Sequence, residues 1–448
     1  VLGRQRLKEI ADRVLGAAKA DQTEVVVTAV DGYLTRFAAN AIHQNVSERN
    51  VIVRVRAVVD RRIGVASGND LSAPGLQRLA REAKAIAGLQ RANPEFRSLP
   101  EPRPLREVDA IVERTAECTP KDRAAAAATV IGCSARQGIE AAGAVSTEAE
   151  EIYVGNSFGV SAYHGRTVAG IVAVAMSEDS SGYAADAALD VDDLDPAGIG
   201  RTATEKALRS RRPTSLDPGD YTVILEEDAV ADILFYLGYL GLGALSVQEG
   251  RSFLCDRFGK AVTGERITIW DDGLDPRGFV MPFDFEGVPK EKVVLIENGI
   301  ARAVVHDTFT AGREDGAHST GHALPAPNTL GPIPVHLFLA PGEATKEEML
   351  SSTDRGIWVT RFHYTNPVHP VRAILTGMTR DGTFLIEGGE ITRPLRNLRF
   401  TQAILDAFAN AEAIGRSLKT VKQDWGNFAV CAPAMKIHGF RFTGTTEF

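Results

Sequence analysis

The chain has 448 residues, 44% of them hydrophobic and 24% charged, with a formal net charge of −8. That length exceeds one ordinary hydrophobic core, so more than one domain is expected, and the composition excludes a disordered chain. The acidic balance argues against a surface built for nucleic-acid phosphates, and the local basic spot at Arg209, Arg211 and Arg212 reads as a solvated helix end.

From the N-terminus, VLGRQRLKEIADRVLGAAKA alternates charge with apolar residues and has no uninterrupted apolar core, so it reads as an amphipathic helix over 5–20 and not as a secretory signal. The period then changes to two, predicting strands at 24–29, 33–39, 50–59 and 62–67, closed by a helix over 76–89. The proline-rich 91–119 segment is a connecting arm, because proline lacks a donor and pushes its predecessor out of helix. An Ala-rich helix over 121–137, four short strands in IEAAGAVS, EEIYVGNS, GVSAYHG and TVAGIVAVAMS, and a helix over 196–209 follow. The order helix, strands, helix thus appears twice, which predicts a duplicated α+β region with antiparallel sheets. Four units result: an N-terminal α+β unit 1–90, the connector 91–119, a middle α+β unit 120–215, and a β-rich unit 216–448 beyond the boundary SRRPTSLDPGD.

The longest uncharged apolar run lies in YTVILEEDAVADILFYLGYLGLGALSVQEGRSFLCDRFGKAV, 221–262, which reads as a buried strand, a capping turn at 226–228 and a helix from near Asp228. Its stretch 233–247 is broken by Gly238, Gly241 and Gly243 and is shorter than the ~20 residues of a spanning helix, so no membrane segment is predicted. Beyond it, Asn298-Gly299, Asp381-Gly382 and Gly388-Gly389 mark hairpins, a long helix is predicted over 401–418, and a strand pair over 428–442 ends the chain. The C-terminal half is expected to be a mainly antiparallel sheet or barrel carrying a few helices.

Candidate chemistry is sparse. The cysteines Cys118, Cys133, Cys255 and Cys431 lie far apart without a CxxC pair, which disfavours a disulfide framework or zinc knuckle and suits cytosolic thiols. Among the histidines only His318 with His322, and His363 with His369, are close in sequence. The first pair lies in GAHSTGHALPAP, a loop rather than a helix, so two-ligand zinc binding competes with a loop that contacts a partner or substrate. The second pair flanks Asn366-Pro367, a turn signal ending the strand IWVTRFHY, and the remaining histidines sit in or beside strand patterns, where structural roles are the default. There is no GxSxG elbow, no GxxxxGK[ST] loop and no GxGxxG between strand and helix. The acidic runs EAEE and WDDGLD lack the EF-hand ligand register.

RSFLCDRFGKAV, PFDFEGV, VVLIENGIARAVV followed by DTFTAGREDGAHSTGH, LIEGGEITRPL and VCAPAMKIHGFRFTG, in this order and with EEIYVGNSFGV upstream, resemble the TldD/TldE family of metallopeptidases, also called PmbA or modulator of DNA gyrase. The resemblance covers almost the whole chain. It implies a cytoplasmic, paired peptidase in which a TldD-like subunit carries HExxxH on the helix equivalent to the one beginning near Asp228, with a C-terminal cysteine completing a zinc site. Here that helix reads VADILFYLGYLGLG, and no histidine occurs between His164 and His306. Cys431 stands too near PAMKI to match the family's ligand, and none occurs at 419–424.

The departure fits the TldE-like, metal-free subunit, inactive alone, with zinc in a TldD-like catalytic partner and unfolded or leader peptides as substrates. No catalytic residue and no metal ligand is assigned to this chain. Contacts with partner or substrate are expected at Phe235, Tyr236 and Tyr239, at His318 and His322 in the loop 313–324, and at Arg361, His363, Tyr364 and Asn366. The rival readings are a self-sufficient metallohydrolase using His318 and His322, and a non-enzymatic protein-binding modulator.

Overall fold

A computed structural model describes residues 1–423 and 428–446. The N-terminal half runs α1 (Arg4–Ala17), β1 (Gln22–Ala38), β2 (Ala41–Val59), β3 (Arg62–Gly68), α2 (Ala73–Leu89), α3 (Glu113–Ala116), α4 (Pro120–Ala135), β4 (Glu140–Asn156), β5 (Ser161–Met176), β6 (Ser181–Ala188) and α5 (Pro196–Arg209). Helix, three strands and helix do occur twice, and the two repeats share one six-stranded sheet, in the order β3-β2-β1-β4-β5-β6. β1 and β4 join them antiparallel, from Glu24 opposite Asn156 to Phe37 opposite Gly143. Two apolar layers lie on this sheet, one under α1 and α2 and one under α4 and α5. Thr119 and Asp122 close a capping box at the start of α4, and Ser72 accepts from Gly75 N at the start of α2.

The strands are longer than their turn signals indicated. The strands expected at 24–29 and 33–39 are one strand, β1, with Asp31-Gly32 inside it, and the four short strands expected between 139 and 177 are the two long strands β4 and β5, with β6 added after them. Gly165 shows why the signal misleads: a Cβ there would lie 2.6 Å from Ile111 Cδ1, so the residue serves close packing inside a strand and not a turn.

The C-terminal half runs β7 (Gly219–Leu225), α6 (Glu227–Gly241), α7 (Ala244–Gln248), β8 (Ile269–Asp271), β9 (Val293–Glu297), β10 (Ile300–Ala301), α8 (Thr308–Gly312), β11 (His336–Leu339), α9 (Lys346–Ser351), β12 (Arg355–His369), β13 (Ile374–Glu387), β14 (Glu390–Pro394), β15 (Leu398–Ala403), α10 (Ile404–Ala409), β16 (Ala411–Lys422) and β17 (Ala429–Thr445). β7 pairs with β12, β12 with β13, β13 with β15, β15 with β17, and β17 again with β7, so these strands close into a barrel. Phe362, Phe400 and Phe440 pack against one another, with ring centroids 4.5 to 5.8 Å apart. β11, β8, β9 and β10 extend the sheet from β17, and β16 pairs with the same first residues of β17, 429–431, and on to Ile437.

α6 forms where expected. Val230, Ile233, Leu234 and Leu237 are fully buried in the same core as Leu225, Val359 and Phe400, and each such side chain contributes about 1.5–3 kcal/mol by leaving water. Asn298-Gly299 makes the turn between β9 and β10, with φ of 48° and 78°, and Gly388-Gly389 makes the one between β13 and β14.

The strand pair expected over 428–442 is the single strand β17, and three further expectations fail in this half. Residues 401–418 are not one helix: the chain makes only α10 and then enters β16, because the ladder to β17 overrides local helical spacing. Asp381-Gly382 is not a hairpin but a bulge within β13, with φ of 56° and 127°, opposite a register shift between Val359 and Arg361. Asn366-Pro367 does not end a strand either. β12 continues to His369 with irregular pairing, and Tyr364 takes a φ of 55°.

Candidate functional site

A continuous cleft separates the N-terminal sheet from the C-terminal barrel. Its first part, ≈ 430 Å³, lies between β4, β5 and β6 on one side and Asp228 and residues 419–423 on the other. Its second part, ≈ 480 Å³, shares Tyr183, Asp228 and Lys422 with the first and runs past Asp232 and Tyr236 to residues 361–366. The cleft therefore gathers Tyr236, Arg361, His363, Tyr364 and Asn366. Phe235 and Tyr239 are partly buried against the barrel core, and Phe235 meets Tyr236 edge to face at 5.7 Å.

The first turns of α6 provide the cleft's polar wall. Asp228 accepts from Lys419 Nζ at 2.6 Å, Asp232 accepts from Thr365 Oγ1 at 2.5 Å, and Tyr236 Oη donates to Thr365 O. Across the cleft, Arg361 Nε donates to Asp381 Oδ2 at 2.7 Å and the guanidinium stacks 4.3 Å over Tyr183, while Ser181 Oγ donates to the other Asp381 oxygen at 2.6 Å. This network ties β6 to β12 and β13. Burial, with the Arg380 and Arg361 charges beside it, lowers the His363 pKa and keeps the imidazole neutral. Tyr364 is 74% exposed, and Asn366 Nδ2 donates to its carbonyl.

The sequence missed Asp381, Ser181, Tyr183 and the Asp228–Lys419 pair. Asp381-Gly382 was visible only as a left-handed signal, which a bulge satisfies as well as a turn does.

His318 and His322 are not brought together as a metal pair. His318 is exposed and meets Glu291 at 3.0 Å, whereas His322 is buried, its Nε2 2.8 Å from Asp271 Oδ1 and its Nδ1 2.9 Å from Thr320 Oγ1. Burial and the Lys290 charge lower the His322 pKa, so the ring is neutral, donating through Nε2 and accepting at Nδ1. Burial would raise the Asp271 carboxyl, but the hydrogen bond from His322 Nε2 and the Lys290 charge outweigh it and hold it well below the usual carboxylate range. This is a satisfied buried pair, consistent with a role in joining the 322 loop to β8.

Zinc, which the family resemblance brings into question, does not fit the residues at α6. The helix offers Glu227, Asp228 and Asp232, all engaged, and no imidazole. Of the 419–424 segment, residues 419–423 carry no thiol and Asp424 lies outside the described residues. Cys431 is buried on β17, its thiol pushed up to about 11 chiefly by burial, which opposes the thiolate a metal needs. Among the described residues, no group of three or more His, Cys, Asp or Glu is placed to hold a metal ion, and no helix is long and apolar enough to cross a membrane.

The fold and cleft define a class: an α+β protein in which a duplicated antiparallel unit sits on a strand-rich barrel. Residues 23–87 match the PmbA/TldA metallopeptidase domain 1, 100–211 the central domain and 218–444 the C-terminal domain. The chain belongs to the PmbA/TldD metallopeptidase family. A metalloprotease of Methanocaldococcus jannaschii is 29% identical over 222 residues, covering 48% of each chain. The metalloprotease PmbA of Escherichia coli O157:H7 is 27% identical, covering 54% of this chain and 51% of its own. The chain thus spans about half the length of the curated relatives it matches. In fold it is similar to TldE from Thermococcus kodakarensis, with TM-score 0.87, 21% identity and coverage of 98% and 99%. It is also similar to a putative modulator of DNA gyrase from Thermotoga maritima, with TM-score 0.86, 22% identity and coverage of 97% and 100%.

Proposed function

We propose that this chain is the non-catalytic, TldE-type half of a heterodimeric cytoplasmic metallopeptidase, with the zinc held by a TldD-like partner and unfolded or leader peptides cleaved by the pair. The observation that carries this reading is the makeup of α6. Its cleft side holds Asp228, Asp232 and Tyr236, all tied into hydrogen bonds, where a zinc subunit needs two imidazoles and a free carboxylate.

In this reading the cleft is a wall of the substrate chamber. β16 is hydrogen-bonded to β17 between 418 and 422, and residues 419–422 line the cleft on the way. An extended peptide laid there would find backbone donors and acceptors without regard to its sequence. Arg361, His363, Tyr364 and Asn366 contact the peptide or the partner, as do Phe235, Tyr236 and Tyr239 along α6; His318, exposed on its loop, is a further contact at the rim of the molecule.

The test is reconstitution. Purified alone, the chain is expected to hold no stoichiometric zinc and to leave an unfolded peptide intact; mixed with a TldD-like partner it forms a one-to-one complex that cleaves. Stoichiometric zinc in the isolated chain, lost in His322→Ala, would overturn the reading. A complex that binds peptide but never cleaves it would favour a binding role.

A further inference from the structure

A second cavity, away from the cleft, has no part in the reading above. It measures ≈ 450 Å³ and lies between the N-terminal unit and the C-terminal half, walled by Ile63, Ile86 and Phe96 on one side and Phe309 and Leu324 on the other. Its floor is charged: Arg56, Glu286 and Asp307 all reach it.

The floor is not electrically balanced. Arg56 Nη2 donates to Glu24 at 2.5 Å and to Glu286 at 2.9 Å, so one guanidinium already serves two carboxylates. Glu286 uses its other oxygen to accept from Thr308 N at 3.0 Å. Asp307 is a third carboxylate. Its side-chain bonds all end on Oδ1, from Thr310 N at 2.8 Å and Thr310 Oγ1 at 2.7 Å, leaving Oδ2 without a donor among the described residues. Asp307 is only 7% exposed and borders the cavity, so its remaining accessibility is on the cavity side, in a space with apolar walls. Burial, with the Glu286 charge beside it, pushes its carboxyl up to about 6.

We infer that this cavity binds an organic cation, an ammonium or guanidinium on a short apolar stem, with the cationic head on Asp307 Oδ2 and the stem between Phe96 and Phe309. An anion would meet the Glu286 and Asp307 carboxylates against one guanidinium that Glu24 and Glu286 already share, and a neutral apolar guest would offer Oδ2 no donor. A head with N–H donors answers both. The same chemistry is offered by a free small amine and by the Lys or Arg side chain of a peptide.

Calorimetric titration of the full chain tests it, using n-butylguanidinium and n-butylammonium against the neutral match n-butanol. Saturable binding of the cations is expected, weakened about tenfold or more by Asp307→Asn, the loss of a charge-assisted hydrogen bond. Asn retains the capping acceptor for Thr310 N, so this variant keeps its fold, which a thermal melt verifies. Ile86→Trp, at the half-exposed wall, should block the same titration by filling the space. Equal binding of n-butanol, equal binding by Asp307→Asn, or a heat signature reproduced by potassium ions alone overturns the proposal. A capped Ala-Arg-Ala peptide separates the sources: binding that depends on Asp307 assigns the site to peptide side chains, binding of the free cations only assigns it to small amines, and binding of neither overturns the site.

Discussion

Glu24 sits at the start of β1 with its carboxylate against Arg56 and only 2% exposed. Burial, with the Glu286 charge added, outweighs Arg56 and pushes its pKa from 4.5 to about 7. A folded pKa above the unfolded one means the native state holds a proton that the unfolded chain releases. This stabilising contribution is complete below pH 4.5 and is lost as pH rises through 7. Relative to Glu24→Gln, the wild type should therefore lose about 3 kcal/mol of stability between pH 4.5 and pH 7.5, read from urea denaturation at a series of pH values. A difference independent of pH would show that Glu24 is ionised in the fold as it is in the open chain. Nothing in the sequence marked Glu24: it stands in an ordinary alternating strand, and its partner Glu286 is far along the chain.

At the scale of elements, α6 shows how a helix can be placed by packing against its own propensities. Gly241 ends it, and a Cβ there would lie 2.5 Å from Phe253 Cε1 and 2.9 Å from Ser252 Oγ, whose hydroxyl donates to Gly241 O. Alanine is the better helix former by about 1 kcal/mol, yet Gly241→Ala should destabilise by about 1–3 kcal/mol through overpacking, measured by chemical denaturation. A neutral or stabilising effect would mean Phe253 can move aside. On the same helix, Tyr239→Glu tests the proposed partner surface. Tyr239 is only partly buried against the core, so the charge is expected to abolish pairing with a TldD-like subunit while the circular dichroism spectrum stays native. Loss of the native spectrum would instead make it a core residue. The α6 run was legible from its apolar spacing, whereas β16 was not: Ile404, Leu405, Phe408 and Ile414 are all buried as a helix reading requires, but the last is buried by a strand. Local periodicity over so few residues does not distinguish the two.

Across the molecule, the two halves are held by polar contacts that no local pattern could announce. Arg56 reaches Glu286, His164 Nε2 donates to Val280 O at 2.9 Å, and Arg166 Nη1 donates to Phe279 O while its Nε and Nη2 hold Glu150. Each joins the six-stranded sheet to the segment before β9. Removing the guanidinium in Arg56→Met leaves Glu24 and Glu286 buried without their shared partner, and should cost about 3–5 kcal/mol, read from the midpoint and slope of a urea transition. A cost under about 1 kcal/mol would show that the junction depends on its apolar contacts instead.

What the sequence determined by itself was the order of elements and the chemical character of α6: apolar spacing places strands and helices, and a segment without histidine cannot supply imidazole ligands wherever the chain carries it. Only the tertiary structure decided that Asp31-Gly32 and Asp381-Gly382 lie within strands, that His318 and His322 diverge, and that Arg361, Asp381 and Tyr183 meet across one cleft. The reason is that a turn signal reports what a backbone can adopt, while ladder pairing and burial decide which of its conformations is used.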